Sequence, residues 1–231
     1  MTTTNEFSGD ISGAVALVAG GTGGLGRPIV AELARRGATV VTVSRRAASV
    51  ETPDIQHLSA DLRSSDEAER VVTRIVSAHG RLDIVVNAVG VVAFGDVVST
   101  SVDTVEELFL TNVFAHVFLC TATLPRLSKG GVIVAISGVV AEQNLPGLVA
   151  YGASKAAVRS FDEGVAREAR RLGVRVIDAR PPHTETGLAS RAVAGTAPRF
   201  PAGLDPVFVA GRIVAAIGDG TTDLPSSAFA S

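Results

Sequence analysis

The sequence predicts an α/β fold in which one doubly wound, mostly parallel sheet is flanked by helices. Short β-branched runs alternate with longer amphipathic segments, as in chains built from consecutive βαβ units. Most of these runs, such as residues 132–136, are almost entirely apolar, which is typical of strands covered on both faces. The chain has 231 residues, of which 46% are hydrophobic, and this suits a single domain with a sizeable core. We therefore expect one domain over residues 1–231.

The predicted elements follow one another in a regular order. Strands are predicted at residues 14–19, 39–44, 55–58, 82–87, 131–137 and 175–180, with a short last strand around 223–225. Helices are predicted at residues 27–36, 65–79, 104–127, 150–172 and 206–217. Ser64 and Glu67 have the spacing of a capping box before the second helix, and Gly37 and Gly173 stand where helices should end.

The composition argues against several classes of protein. The net charge is −2 and no long basic block occurs, so neither nucleic acid nor an anionic membrane surface is an expected partner. Cys120 is the single cysteine and no cysteine and histidine cluster has the spacing of a zinc site, so we expect neither an internal disulfide nor a metal. The first ten residues are polar, and no run of about 18 apolar residues is present. These features predict a cytoplasmic protein.

A glycine-rich turn, AGGTGGLGR at residues 19–27, follows the first predicted strand and opens the first helix. In this context, backbone N–H groups at the helix N-terminus can bind a pyrophosphate. The spacing of Gly20, Gly24 and Gly26 differs from the G-x-G-x-x-G of the general dinucleotide fingerprint. Because tight turns also need glycine, the turn alone is compatible with a ligand site and with a plain turn.

Two further stretches help to interpret the glycine-rich turn: NAVG at residues 87–90 and YGASK at residues 151–155. With them the chain resembles the short-chain dehydrogenase/reductase family, whose pattern is T-G-x-x-x-G-x-G, then N-N-A-G, then Y-x-x-x-K. The resemblance covers nearly the whole chain, although Ala19 replaces the usual Thr and Ala88-Val89 replaces Asn-Ala. It implies a single-domain Rossmann fold that binds a nicotinamide dinucleotide.

The residues after the second strand predict which dinucleotide is bound. Enzymes that bind NAD usually place an Asp or Glu about 20 residues after the glycines, and here Ser44 stands at that position, followed by Arg45 and Arg46. Guanidinium groups can bind a 2′-phosphate through charge-assisted hydrogen bonds. We therefore expect NADP(H), with Arg45 as the main contact because NADP-preferring members of the family are similar there. The alternative is a solvated arginine pair on a loop.

The resemblance implies further contacts with the cofactor. Asp61 and Leu62 would flank the adenine, and Asn87, Ala88 and Gly90 would line the central part of the dinucleotide. The glycine turn would contribute Gly20, Thr22, Gly24, Leu25 and Gly26.

Tyr151 and Lys155 are the candidate catalytic pair. They are four residues apart and would share one face of a helix. A phenol normally ionises near pH ~10, and a neighbouring ammonium together with the positive nicotinamide of an oxidised cofactor favours the phenolate. Tyr151 could then exchange a proton with the oxygen of a carbonyl or alcohol. The resemblance implies that Lys155 also holds the nicotinamide ribose.

Ser137 and Asn112 complete the predicted catalytic set. The family's substrate-polarising Ser lies thirteen residues before the Tyr, where this chain has Gly138, and Ser137 lies fourteen before. Either the loop after the fifth strand holds one more residue and Ser137 polarises the substrate, or Ser137 faces elsewhere and the donor is missing; we favour the first. Asn112 matches the family's fourth-helix Asn, which holds a water in a proton relay to the Lys; otherwise its side chain bonds to its own helix.

Residues 181–205 are rich in proline and lack periodicity, so we expect a segment that covers the substrate. The family motif P-G-x-x-x-T is matched here by PPHTET at residues 181–186, with Pro182 in place of the Gly. The predicted cofactor contacts from this segment are Pro181, Thr184 and Thr186.

The predicted function is that of an NADP(H)-dependent oxidoreductase that interconverts a ketone or aldehyde and the corresponding alcohol, with Tyr151 as acid or base. One alternative is a non-catalytic NADP(H)-binding or sensing protein, and another is an epimerase or dehydratase on the same fold. The resemblance also implies a homodimer or homotetramer, with a small carbonyl compound or alcohol as substrate.

Overall fold

The computed structural model describes residues 6–45 and 55–230, and over these ranges it has the predicted α/β fold. Seven strands form one sheet in the order β3-β2-β1-β4-β5-β6-β7, and every neighbouring pair is parallel. The strands are β1 Val15–Ala19, β2 Thr39–Ser44, β3 Ile55–Ser59, β4 Ile84–Asn87, β5 Val132–Ile136, β6 Arg175–Ala179 and β7 Asp223–Leu224.

The strand order reverses between β1 and β4, and this reversal sets the position of the site. β1 pairs with β2 on one side and with β4 on the other, with Ala19 opposite Val43 and Asn87. The connections leaving β1 and β4 therefore diverge at the carboxyl edge of the sheet and leave a crevice there. Ligands of open α/β sheets bind at such a point.

Six α-helices cover the sheet in the described residues. They are α1 Gly26–Arg35, α2 Ser65–His79, α3 Val102–Leu108, α4 Ala115–Thr123, α5 Val149–Ala169 and α6 Pro206–Gly218. The Ser64 side chain accepts a hydrogen bond from Glu67 N, as the capping box predicted, and Gly173 ends the turn after α5 at φ +68°.

The helix predicted at residues 104–127 contains an unexpected wide turn. A π-helical turn, Phe109–Phe114, joins α3 to α4 without breaking the helix. Such turns hold one residue more than an α-helical turn and often occur at functional sites. This turn contains Asn112.

A separate hydrophobic core lies on each face of the sheet, because successive side chains of a strand point to opposite faces. Val18 of β1 packs with α1 and α6 on one face, and Leu17 packs with α2 and α4 on the other. The helical stretch Val102–Arg126 has the length and mean hydropathy of a membrane span, but half of its most apolar window is buried inside the protein, as in the core helices of globular proteins.

A buried arginine holds one edge of the sheet together. Arg180, which follows β6, forms ion pairs with Glu142 (2.6 Å), Asp178 (2.8 Å) and Asp223 (2.7 Å). Glu142 also accepts hydrogen bonds from the backbone N and the hydroxyl of Ser226. These contacts join the segment after β5, the last two strands and the C-terminal turn.

Acid should weaken this edge of the sheet. Burial opposes the charge on Glu142, but hydrogen bonds from Ser226 and Arg180 lower its pKa to about 2 from 4.5. Its contribution to stability is therefore complete above pH ~4.5 and is lost as the pH falls towards 2. We expect Glu142→Gln to lower the free energy of unfolding at pH 7 by about 1–3 kcal/mol and to reduce the loss between pH 5 and 3 in urea titrations. Glu168→Gln, at an exposed position of α5, is the matched control, and parallel pH curves for wild type and Glu142→Gln would contradict this role.

Candidate active site

Two adjoining cavities open at the carboxyl edge of the sheet. The larger has a volume of about 810 Å³ and lies beside the ends of β1, β2 and β4. The smaller, of about 360 Å³, lies beside the end of β5 and the start of α5. Gly23, Gly24, residues 88–90, Leu188 and Arg191 line both cavities, so the two share a wall.

Most of the predicted site residues line these cavities. The larger is lined by Gly20, Thr22, Gly24, Ser44, Arg45, Asp61, Leu62, Ala88 and Gly90. The smaller is lined by Gly24, Leu25, Ala88, Gly90, Ser137, Tyr151, Lys155, Pro181, Thr184 and Thr186. Gly26, Asn87 and Asn112 lie behind the cavity walls, and Arg46 lies outside the described residues.

The glycine turn is shaped by contacts with the chain and leaves room for an anion. A Cβ on Gly24 would lie 2.1 Å from the carbonyl oxygen of Thr186, and one on Gly26 would lie 2.1 Å from that of Gly20. These glycines are therefore required by packing alone. The N-terminus of α1 nevertheless has no side-chain cap and no acidic residue in its first turn, so its N–H groups suit a phosphate. The residues present fit a dinucleotide.

Beside the end of β2, the larger cavity is lined by two arginines, Arg45 and Arg63, and one acid, Asp61. Arg45 is exposed at its wall. Asp61, the acid nearest to this end among the lining residues, is paired with Arg63 at 2.6 Å, and this hydrogen-bonded pairing lowers the pKa of Asp61. Arg63 also pairs with Glu107. Arg45 also contributes to the lowered pKa of Asp61, so both arginines offset the charge of this acid.

Tyr151 and Lys155 both line the smaller cavity, as their helical spacing predicts. Lys155 is buried, and its Nζ donates to the carbonyl oxygen of Ile136 at 2.7 Å. Burial lowers the pKa of Lys155 to about 8, against an opposing effect of Asp178. Burial raises the pKa of Tyr151 to about 12. Tyr151 is therefore fully protonated at neutral pH, the form that a proton donor requires.

Ser137 does not direct its proton into the smaller cavity. It is completely buried, and its Oγ donates to Asp178 Oδ1 at 2.5 Å. Asp178 in turn accepts from the buried guanidinium of Arg180. The position thirteen residues before Tyr151 is Gly138 at φ +81°, a conformation that would strain a serine. The hydrogen bond of Ser137 is thus the one expected from the second of the two accounts, in which Ser137 faces elsewhere, and the polarising role of Ser137 stays a prediction.

Asn112 connects three elements through its side-chain amide. Its Oδ1 accepts from Val91 N at 2.8 Å, and its Nδ2 donates to Val91 O at 3.0 Å and to Ser154 Oγ at 2.9 Å. Both amide protons are thus used within the protein. The structure gives Asn112 a positioning role between the segment after β4 and α5, and the predicted water relay stays a prediction.

The segment at residues 181–205 folds over the smaller cavity. A short parallel bridge between Thr184 and Leu204 joins the two ends of this segment, and a second one between Ala93 and Ala194 holds it against the loop after β4. His183 packs on Phe200 with ring centroids 4.8 Å apart, and Phe200 lies 6.0 Å from Phe94.

Several site residues were missed by the sequence analysis. Phe94, Phe200 and Arg191 line the cavities, and Asp162 forms a buried hydrogen bond with His116, which contacts Asn87. The two phenylalanines are over 100 positions apart in the chain, and no motif marks them. Apolar side chains also form part of the walls: Val92, Val139, Leu145 and Leu148 line the smaller cavity, whereas Val91 lines the larger one.

Comparison with known proteins agrees with this architecture. A family model described as short chain dehydrogenase matches residues 14–196. A hydroxynaphthalene reductase of Aspergillus fumigatus is 34% identical over 176 residues, which are 72% of this chain and 64% of that protein. A short chain dehydrogenase of Pseudocercospora fijiensis is 31% identical over 198 residues, which are 80% of this chain and 64% of that protein. The chain thus spans less than two thirds of the length of these relatives.

The fold also matches a solved structure over almost its whole length. A short chain dehydrogenase of Burkholderia cenocepacia, crystallised in complex with NADP, has a TM-score of 0.81 at 25% identity, covering 96% of this chain and 100% of that one. Together with the family match over residues 14–196, this shows that the chain belongs to the short chain dehydrogenase family.

Proposed function

We propose that this protein is an NADP(H)-dependent oxidoreductase that interconverts a ketone or aldehyde and the corresponding alcohol. The observation that carries this proposal is the placement of Tyr151 and Lys155 in a small, mostly apolar cavity that shares a wall with a larger, arginine-lined cavity. The larger cavity would hold the dinucleotide and the smaller one the substrate. The bound nicotinamide would supply or accept the hydride.

The proposed preference for NADP(H) rests on the end of β2. Ser44 stands where an acid would bind the ribose hydroxyls of NAD, and Arg45 follows it at the wall of the larger cavity. An arginine at this point favours a 2′-phosphate through charge-assisted hydrogen bonds. The NADP complex of the structural neighbour from B. cenocepacia supports this proposal.

In the direction of reduction, Tyr151 would donate a proton to the carbonyl oxygen of the substrate. The raised pKa of Tyr151, about 12, keeps that proton in place until the reaction creates a stronger base. The ammonium of Lys155 would assist by its positive charge on the same face of α5. Ser137 has no donor role in this proposal, because its hydroxyl donates its hydrogen bond to Asp178.

The hydrogen bond from Ser137 to Asp178 also favours a second candidate function. A protein without a polarising donor could bind NADP(H) as a sensor and turn over no substrate. Loss of an oxyanion donor costs about 10²-fold or more in rate, which slows a reductase without abolishing its activity. The intact pair of Tyr151 and Lys155 therefore favours the enzyme, and an epimerase or dehydratase has no specific feature in its support.

Arg45→Ala should separate the two dinucleotides. We expect the dissociation constant for NADPH to rise roughly 10- to 100-fold, because a charge-assisted contact with the 2′-phosphate is lost, while that for NADH changes little. Titration of the intrinsic fluorescence of the reduced nicotinamide measures both constants. Arg199→Ala, outside both cavities, is the matched control. Equal affinities of the wild type for NADPH and NADH would contradict the proposed preference.

Tyr151→Phe should slow turnover strongly and leave NADPH binding intact. We expect the rate of NADPH oxidation on a panel of ketones and aldehydes to fall about 10²- to 10⁴-fold, the usual contribution of a positioned acid. Ser137→Ala should keep most of the wild-type activity. Tight binding of NADPH with no turnover of any substrate by the wild type would favour the sensor, and a large loss in Ser137→Ala would return Ser137 to the donor role.

The rate of reduction should fall as the pH rises through about 8. Burial lowers the pKa of Lys155 to that value, so its ammonium becomes neutral above it, whereas Tyr151 keeps its proton until about pH 12. The pH profile of kcat/KM between pH 6 and 10 measures this effect. A flat profile up to pH 10 would show that the charge of Lys155 does not assist the reaction.

A further inference from the structure

A row of buried hydrogen bonds connects the loop after β4 with α4 and α5, and the proposed reaction makes no use of it. We call residues 87–91 the β4 loop. Val89 N donates to Asn87 Oδ1 at 3.0 Å, Asn87 Nδ2 lies 3.0 Å from His116 Nδ1, and His116 Nε2 lies 2.7 Å from Asp162 Oδ1. His116 and Asp162 are both almost completely buried.

One backbone group settles the direction of every bond in this row. The N–H of Val89 can only donate, so the oxygen of the Asn87 amide faces it and the NH₂ group faces His116. His116 Nδ1 must then be an acceptor, which places the ring proton on Nε2. Burial opposes a charge on His116, and Cys120 and Asp162 outweigh it and raise the pKa of the ring, but a second proton on Nδ1 would face the NH₂ group of Asn87. That proton is donated to Asp162. The carboxylate of Asp162 therefore selects the tautomer of His116 that can hold Asn87.

These directions argue against a metal at the same place. Ligand atoms of His116, Cys120 and Asp162 lie within 4.8 Å of one another, so the three could in principle share an ion. A metal on Nε2 would move the ring proton to Nδ1, where it would face the NH₂ group of Asn87. Two hydrogen-bond donors would then face each other. Rotation of the Asn87 amide by 180° would not help, because it would break the hydrogen bond from Val89 N.

The row keeps a feature that stability alone does not favour. Asp162 Oδ2 is buried and has no hydrogen-bond partner among the described residues. Burial of an unpaired carboxylate oxygen is costly, and an apolar residue in its place would avoid that cost. The role of Asp162 is therefore better explained by the position in which it holds His116 than by a contribution to stability.

The β4 loop is in contact with both halves of the site. A Cβ on Gly20 would lie 2.9 Å from the carbonyl of Ala88, so the loop rests directly on the glycine turn. A Cβ on Gly90 would lie 3.3 Å from Lys155 Nζ. Residues 88–90 also form part of the wall that the two cavities share. A shift of this loop would therefore alter both the space for the dinucleotide and the surroundings of Lys155.

We propose that His116 and Asp162 are positioning residues, which hold Asn87 and through it the β4 loop in the conformation that binds the dinucleotide. The inference rests on the proposed function, because it assigns the larger cavity to NADP(H). Asn112 holds the other end of the loop at Val91, so the His116 row acts at a different point.

The test compares binding with stability in four variants of the full chain. His116→Phe keeps a ring beside Phe161 but removes the acceptor for Asn87, and Asp162→Leu removes the group that selects the tautomer. We expect both to weaken NADPH binding, His116→Phe by about tenfold, since one buried hydrogen bond of the binding loop is lost. Asp162→Asn keeps an acceptor oxygen and should restore most of the affinity. Cys120→Ala, which alters a neighbour of His116 outside the row, should bind NADPH as the wild type does.

Thermal unfolding and NMR distinguish positioning from simple support of the fold. We expect Asp162→Leu to lose NADPH affinity without a matching fall in Tm, and the ¹⁵N spectrum of the wild type to show His116 as the Nε2–H tautomer. Wild-type affinity in a folded His116→Phe variant, or a His116 ring protonated on Nδ1, would overturn the inference. If His116→Phe does not fold, Asp162→Leu and the tautomer decide the question. A wild type that binds neither NADPH nor NADH would instead refute the proposed function.

Discussion

The hydrogen bonds of Asn112 are the constraint on which the geometry of the site depends. Parallel strands place the ends of β1, β4 and β5 at one edge of the sheet, but their loops could leave that edge in many directions. The amide of Asn112 fixes one of them, because it binds both backbone groups of Val91 and the hydroxyl of Ser154, which adjoins Lys155. The loop after β4 and the helix that carries Tyr151 are therefore held at a common reference point. Both cavities take their shape from this connection.

The polar groups around the smaller cavity are more completely used by the protein than the sequence motifs suggest. The hydroxyl of Ser137 donates a hydrogen bond to Asp178, and Asp178 forms an ion pair with Arg180. The polar group at the end of β5 is therefore part of a structural ion-pair network. Lys155 donates to the carbonyl of Ile136. Under the proposed function, a substrate would meet the phenol of Tyr151 among mostly apolar walls. Selectivity in such a pocket comes mainly from shape, and hydrogen bonding acts at the reacting oxygen.

The parts of the fold that depend on local pattern could be predicted from the sequence. All seven strands lie within two residues of their predicted bounds, because apolar runs between glycines and helices fix their position. The common face of Tyr151 and Lys155 follows from helical spacing. The direction of Ser137 could not be predicted, since it depends on which carboxylate the neighbouring strand brings opposite it. The pairing of His116 with Asp162 joins residues 46 positions apart on two helices, and only tertiary packing reveals such a pair.

The π-helical turn, Phe109–Phe114, has a consequence for the evolution and engineering of this chain. Each residue of an α-helix turns the chain by about 100°, so the extra residue sets the rotation of α3 relative to α4. Deletion of one residue from the turn would restore a regular α-helix and swing α3 around its own axis by that angle. Glu107 would then leave Arg63, the partner of Asp61 at the cavity wall. A difference of one residue between relatives at this point thus rotates α3 relative to α4. A sequence alignment that places a simple gap here would compare side chains on different faces of the helix.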